Sequence, residues 1–469
     1  MSYLLYIILR KSRFMGVVIF YVVGGGIVLS QKINNVNWER EGEFLLRMYQ
    51  DTVEDNSYES RNAYDTYFRW KNKILLKSWD GLLKFNLEAH SQGFGGDGSK
   101  EDVCFLLKEA FLKLELGNFG FTLGKDVVNW GKLDDVVILD RISPQDYKWF
   151  ILFDKQERKE PTFMFKINYH PQDYQIEAVY LPLFKPSTVR FFGSNWALFG
   201  HIKKVIEEGN YPRSYKEVVR NIRIEDEEEV LHNSFENGEV GVRLQARWRD
   251  FDYTVCYMYL HNRIPVLREL TLKGNTLKEF LYFPTIENLS ELVNLSPTNS
   301  DLTLKKGHSR LHIGGLSWET VIGEYGVRGE LALFKSMPYL GKDFSYLRKD
   351  TISFGIGVDH MTPNNFYGNL QFIEELILNY EELFSQEEYS HQITLTLKKD
   401  FLGGDLVVNL DSSLRLSYGD WMVNPSLAYK FNAGPKITLG GFIFEGGLST
   451  LFGRFSNNDL VYIEINYKF

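Results

Sequence analysis

The sequence predicts an all-β fold: a transmembrane, antiparallel, up-and-down β-barrel of about 18 strands, with 16 as the alternative count and short helices in the long external loops. Three observations carry this. Apolar and polar residues alternate with period 2 in runs of about 10 residues or more from residue 64 onward. The links between those runs alternate between very short and long. The N-terminus looks like an export signal, and after residue 31 no stretch approaches the roughly 20 apolar residues of a membrane-spanning helix.

The leader comes first. MSYLLYIILRKSRF carries Arg10, Lys11 and Arg13, and the uncharged run MGVVIFYVVGGGIVLS follows. A cationic region, an apolar region and then small or polar residues read as a secretory signal. It is assigned to residues 1–30, with a retained anchor as the alternative; residues 31–469 then form a single barrel domain. Removing the leader takes away three cations and no acids, so the net charge of −8 becomes −11. That argues against nucleic acid as a partner. Cys104 and Cys256 lack metal or redox spacing, and a disulfide between them stays open.

The strands follow in order. GLLKFNLEAH sets Leu83, Phe85, Leu87 and Ala89 against Lys84, Asn86, Glu88 and His90. TISFGIGVDH opposes Ile352, Phe354, Ile356 and Val358 to Ser353, Gly355, Gly357 and Asp359. GDLVVNLDSSLRLSY repeats the pattern. Such runs exceed the usual five or six residues of a soluble strand and match the length that crosses a bilayer at a tilt of about 45°. Lipid leaves no backbone group unpaired, so the strands must close on themselves.

Short links are expected at 78–81, 116–120, 170–173, 249–252, 362–365, 402–405 and 432–435, and long ones at 91–103, 133–160, 187–238, 266–303, 336–348 and 380–390. Membrane barrels turn tightly on the periplasmic side and loop widely outside. Residues 64–469 contain 17 strands, an odd number that bacterial barrels avoid. GEFLLRMYQD (42–51) supplies the missing first strand. Within 187–238, WALFGHIKKVIEEG and SYKEVVRNIRIEDEEEVL suit short helices. The last strand, VYIEINYKF, puts Val461, Ile463, Ile465, Tyr467 and Phe469 on lipid, and Tyr467 with Phe469 is expected to serve as the signal read by the outer-membrane assembly machinery.

Parity also sorts the charges. An Arg or Lys facing lipid at the midplane costs about 2–4 kcal/mol, so Arg69, Lys71 and Lys73 are assigned to the lumen, as are Arg243, Arg247 and Arg249, and Arg328 with Glu330. They form either a cationic lane for an anionic solute or bases neutralised by Glu88, Glu109, Glu115, Asp359 and Asp411. The 133–160 segment, with Asp140, Arg141, Asp146, Lys148 and Trp149 around the bend at Pro144, is the candidate constriction loop, a surface cap being the alternative. The 187–238 loop is a second candidate for a lumen insert or plug.

One block is more specific. EAFLKLELGNFGFTLGKDVVNWGKLDDVVILDRISPQDYKWF (109–150), with Asn129-Trp130-Gly131 and Ile142-Ser143-Pro144-Gln145-Asp146, resembles a proteobacterial family of outer-membrane barrels catalogued as a domain of unknown function and described as porin-like or alginate-export-like. In that family an Arg-Gln or similar pair usually follows the glycine; here Lys125-Asp126 stand there. VYLPLFKPS (179–187), GEVGVRLQARW (238–248), VRGELALF (327–334) and FYGNLQFIEE (366–375) add to the likeness, which spans roughly 60–469. It implies fold and outer-membrane location and no particular substrate; the basic pore of alginate exporters does not transfer to this chain.

No enzyme, metal or cofactor is expected. His308 and His312 would share a strand face but lie about 13 Å apart, too far for one metal, and no HExxH, GxSxG, Walker or Rossmann fingerprint occurs. The expected role is passive passage of a small or extended, conceivably anionic, solute. The rivals are a plugged or structural barrel and, behind it, a lipid-modifying enzyme. The expected partners are outer-membrane lipids, lipopolysaccharide, the assembly machinery and an unknown solute.

Overall fold

Alternation that places apolar residues outward and polar ones inward produces a closed barrel in the computed structural model, which describes residues 31–33, 36–52, 64–78, 81–96, 99–200, 202–226, 237–267, 272–282, 284–295, 302–342, 345–432 and 434–469. Eighteen strands make the wall. They are β1 (Val36–Asp51), β2 (Tyr64–Ser78), β3 (Leu83–Gly96), β4 (Ser99–Leu116), β5 (Phe119–Asp126), β6 (Thr162–Tyr169), β7 (Tyr174–Leu181), β8 (Glu239–Trp248) and β9 (Phe251–His261). The second half holds β10 (Arg310–Ile322), β11 (Tyr325–Leu340), β12 (Tyr346–Met361), β13 (Phe366–Ile377), β14 (Tyr389–Phe401), β15 (Leu406–Arg415), β16 (Asp420–Lys430), β17 (Lys436–Glu445) and β18 (Leu460–Lys468). Each pairs antiparallel with the next, and β1 closes the ring on β18, with Arg47 opposite Glu464 and Phe44 opposite Tyr467. Closure satisfies the backbone that lipid cannot.

The first strand required by the even count is present and starts earlier than expected, at Val36. Two of the expected long links are instead strand. β3 runs to Gly96 and β4 restarts at Ser99, and β11 runs to Leu340 before β12 begins at Tyr346. These hairpins exceed the length a bilayer needs, so their ends project beyond it, and Gly- and Ser-rich composition there imitates a loop. A further tight turn, Gly323-Glu324, joins β10 to β11. The expected leader, residues 1–30, lies outside the described residues. Cys104 and Cys256 are both free.

Burial inverts the soluble pattern. Val255, Leu370 and Leu439 are exposed outward, while Asn86, Ser353, Gln371 and Thr394 are buried inward. The long-loop rim carries a small cap. Ile222–Asp226 pairs parallel with Leu302–Gly307, which also pairs antiparallel with Val266–Leu267. Helices Ile202–Glu208, Arg213–Arg220, Leu272–Tyr282 and Ile286–Leu295 pack on this sheet through Ile206, Val219, Leu277, Leu292 and Leu304. The two expected helices of the 187–238 loop are therefore present, but IRIED (222–226) is a strand.

Where β1 meets the chain's last residue, the Gly42 N–H donates to Phe469 O at 2.6 Å and the Phe469 N–H donates to Gly42 O at 2.9 Å. The Phe469 ring lies so close over Gly42 that a Cβ there would sit 2.3 Å from it. Gly42→Val should therefore cost about 1–3 kcal/mol through overpacking at the closing seam. Semi-native gel electrophoresis should show a smaller folded, heat-modifiable fraction, and an unchanged fraction would refute the role of this contact.

A lumen loop held by Glu330, and the cavity beside it

Between β5 and β6 the chain does not stay on the rim. Residues 127–161 enter the barrel, and the reason lies in one wall side chain. Glu330, on β11, has no exposed surface. Its Oε1 accepts the backbone N–H groups of Lys132 (2.5 Å) and Leu133 (2.9 Å), and its Oε2 accepts those of Ile138 (2.8 Å) and Leu139 (2.9 Å). A buried carboxylate without such donors would be strongly unfavourable. Four charge-assisted hydrogen bonds compensate it and fix the loop backbone. Gly131 makes this approach possible: its φ is +101°, and a Cβ would sit 2.5 Å from Glu330 Oε1.

Neighbouring strands extend the hold. Gln371 Oε1 on β13 accepts the Asp135 and Val136 N–H groups at 3.3 and 3.4 Å. Asp134 pairs with Arg328 and accepts from Asn369 Nδ2 at 2.5 Å. On β14 the Thr394 hydroxyl donates to Asp135 at 3.1 Å. Loop residues Val128, Trp130, Leu133, Ile138, Leu139 and Ile142 pack against inward residues of β6, β7, β9, β10 and β11. Inward glycines make room: a Cβ at Gly241, Gly315 or Gly355 would fall within 3 Å of Trp130, Leu139 or Leu133 respectively.

The second half of the loop crosses to the other wall. Trp149 stacks on Phe94 with ring centres 3.5 Å apart, and Phe150 lies 4.2 Å from Phe455. Leu152 O accepts from Arg47, which also pairs with Glu464. Lys159 is buried against Asp140 and Asn129. Lys155 Nζ lies 4.0 Å from Asp140, and burial lowers its pKa to about 8 against the pull of that carboxylate.

Five of the seven bases assigned to the lumen from sequence end in ion pairs. Arg69 holds Glu43 and Glu157 at 2.8 and 2.6 Å, Lys71 holds Glu88 at 3.1 Å, and Arg243 holds Glu177 at 3.1 Å while lying over Trp130. Arg328 joins Asp134, Glu319 and Asp359. Lys73 sits in register between Glu41 and Glu88. Arg247 grips Asp252 at the exposed turn rim. Arg249 departs from the expected lumen face: it occupies the turn with φ +54° and lies over the outward Trp248. Arg69, Lys71, Arg243, Arg247 and Arg328 are thus each beside a carboxylate.

Between the loop and the wall of β14–β18 lies a cavity of about 660 Å³. Gln392, Thr394, Asp411, Asn424 and Phe442 face it from the wall, and Asp135, Phe150, Asp154, Lys155 and Arg158 from the loop. None of Asp140, Arg141, Asp146, Lys148 and Trp149 does. Arg141 binds Ile138 O at 2.9 Å and lies over Phe334, and Asp146 accepts the Lys148 N–H at 2.9 Å and its Nζ at 3.4 Å. The segment was legible in sequence, but its cavity-facing members were not, because orientation follows from contacts with distant strands. From the 187–238 loop, Val189, Trp196 and Leu198 reach this cavity, while Phe199, Ile206, Val219 and Ile222 belong to the core of the cap. Among the described residues no group of His, Cys, Asp and Glu is arranged to hold a metal.

Glu330→Ala should release four loop donors, each worth about 1–3 kcal/mol if left buried and unpaired. Limited proteolysis should then cut within 127–161 in the folded variant and not in the parent. Equal resistance would show that the loop is held elsewhere.

Comparison with known proteins adds the lineage. No curated protein matches. Solved barrels that match include OpdQ of Pseudomonas aeruginosa (8% identity, 92% of this chain and 98% of that one, TM-score 0.48) and OccAB3 of Acinetobacter baumannii (10% identity, 92% and 99%, TM-score 0.47). OmpF of Salmonella typhi, in complex with daunomycin, matches at 10% identity over 94% and 100%, with TM-score 0.41. These likenesses stand beside the fold and say nothing of this chain's cargo. A family model matches residues 40–429, and the chain belongs to that family, described as a protein of unknown function, DUF1302.

Proposed function

We propose that the chain is an outer-membrane channel for passive passage of a small solute, narrowed by a loop fixed in its lumen. The observation that carries this reading is the 660 Å³ cavity left beside the inserted loop. A wall that is apolar outward and polar inward supports the membrane setting, and the tight turns then face the periplasm. Lipids and lipopolysaccharide contact the outer face, and Tyr467 and Phe469 are offered to the assembly machinery on the outward side of the closing seam.

The plugged reading has one observation behind it. The loop touches the wall on both sides, through Ile142 and Met164 in one apolar cluster and Phe150 and Phe444 in the other. Planar-bilayer recording separates the two. A constricted channel conducts as it stands, and replacing 133–156 by a short Gly-Ser link raises its conductance several-fold. Silence before the deletion and conductance after it would favour the plug.

Lys155 gives a pH signature. With its pKa near 8, this cation discharges as pH rises from about 7 to about 9, leaving the cavity more negative. The reversal potential in a KCl gradient should shift toward K⁺ over that range, and Lys155→Met should abolish the shift. A shift that persists in Lys155→Met would assign it to another group.

A further inference from the structure

We infer that the open cavity recognises a zwitterionic solute with an apolar body, of the amino-acid or short-peptide class. This deepens the channel reading and rests on it.

The cavity combines three features. First, part of its wall is aromatic: Phe150, Phe442, Phe452, Phe455 and Trp196 form a continuous apolar surface. Second, Asp135, Asp154 and Asp411 line it with no cation in ion-pair contact among the described residues. Asp135 and Asp411 both lie at the Thr396 hydroxyl, at 3.4 and 2.9 Å, and one hydroxyl proton serves only one of them at a time. Third, Arg158 lines the same cavity with no carboxylate in ion-pair contact among the described residues, Asp154 acting on it only at longer range. Its Nε is buried and makes no hydrogen bond, and its guanidinium lies 5.3 Å from the centre of the Tyr147 ring. The other charges at this cavity have neighbours. Arg47 is held by Glu464 and Asp134 by Arg328; Lys155 stands 4.0 Å from Asp140 and 3.5 Å from Asp134 O, and Arg454 donates to Leu198 O and lies over Tyr282.

Unsatisfied charge of both signs over one apolar wall has a matching ligand chemistry. A guanidinium forks onto a carboxylate. The acids take an ammonium group, whose approach over aromatic faces is also favourable. The rings receive the apolar remainder. A simple cation or anion satisfies only one end and leaves the other charge desolvated. The volume falls within the range of about 300–1,000 Å³ usual for small-molecule pockets.

The test is block of the KCl current through single channels of the full chain, at low voltage of both signs. Three probes share one body: L-phenylalanine, phenylalaninol (ammonium alone) and N-acetylphenylalanine (carboxylate alone). The half-blocking concentration of phenylalanine should be lower than either single-charge probe by about threefold or more, the scale of one weak ion pair. In Arg158→Gln it should rise to the phenylalaninol value, and in Asp411→Asn toward the N-acetylphenylalanine value. The KCl conductance of each variant reports an inserted, folded barrel. Equal block by all three probes, or an Arg158→Gln channel that blocks as the parent does, overturns the inference and leaves the channel intact. A parent protein with no KCl conductance overturns the channel reading and the inference with it.

Discussion

A carboxylate that accepts four backbone N–H groups inside a barrel sets the terms for the rest of the lumen. Glu330 could be buried only with its charge compensated, and among the described residues no base is in ion-pair contact with it. The compensation comes from a stretch of chain whose donors converge, and that stretch must turn where Gly131 allows positive φ. Charge-assisted bonds of this kind are roughly twice as strong as neutral ones, so the pairing specifies where residues 131–139 sit. Once they sit there, Leu133, Leu139 and Trp130 require space at the wall, and the glycines at 355, 315 and 241 provide it. The strand glycines, the acid without a base and the loop's path are one solution to one constraint.

The distribution of charge follows from the same insertion. A barrel with a bare polar lumen would let solvent screen its inward bases. Here the loop excludes water from much of the wall, so isolated charges there would be costly, and partners accompany them: Arg69 has two carboxylates, Arg243 shares Glu177 with Trp130, and Arg328 gathers three. Among the described residues, charges without an ion-pair contact remain where the loop leaves space, at Asp135, Asp154, Asp411 and Arg158. A net count of basic residues along the strands therefore says little about selectivity. The field that a solute meets is set by the unpaired minority.

The wall was legible in sequence because period-2 alternation is local: each inward or outward assignment needs only its own strand. Ser353 and Asp359 on one side and Phe354 and Val358 on the other could be sorted without knowing a neighbour. Even the first strand could be inferred, since closure demands an even number. The interior was not legible in the same way. Lys132 meets Glu330 across 198 positions of chain, and Asp135 meets Thr394 across 259. Asp140 and Trp149 mark the loop as special, yet whether such residues face the cavity or the wall depends on those distant contacts. The signal that was present lay in the strands: glycine at inward positions 241, 315 and 355, where a strand ordinarily prefers a side chain.

The double attachment also bears on whether the constriction moves. The loop's first half is tied to β11, β13 and β14 by hydrogen bonds, and its second half to β1, β3 and β17 by aromatic packing. A hinge needs one end to release while the other holds. Releasing the first half would strand Glu330 with its four donors removed, in a site open to only part of the solvent. Releasing the second would expose Trp149, Phe150 and Leu152 and break the Arg47 contact to Leu152 O. The cap adds a third restraint, because Trp196 packs on Phe444 and Phe455 while Asn458 donates to Asn195 O at 2.6 Å and Arg454 to Leu198 O at 3.0 Å. With every exit from the observed arrangement leaving buried polar or aromatic groups unmatched, discrimination rests on the standing shape and charge of the opening, and a gating swing of the 127–161 loop is the less economical mechanism.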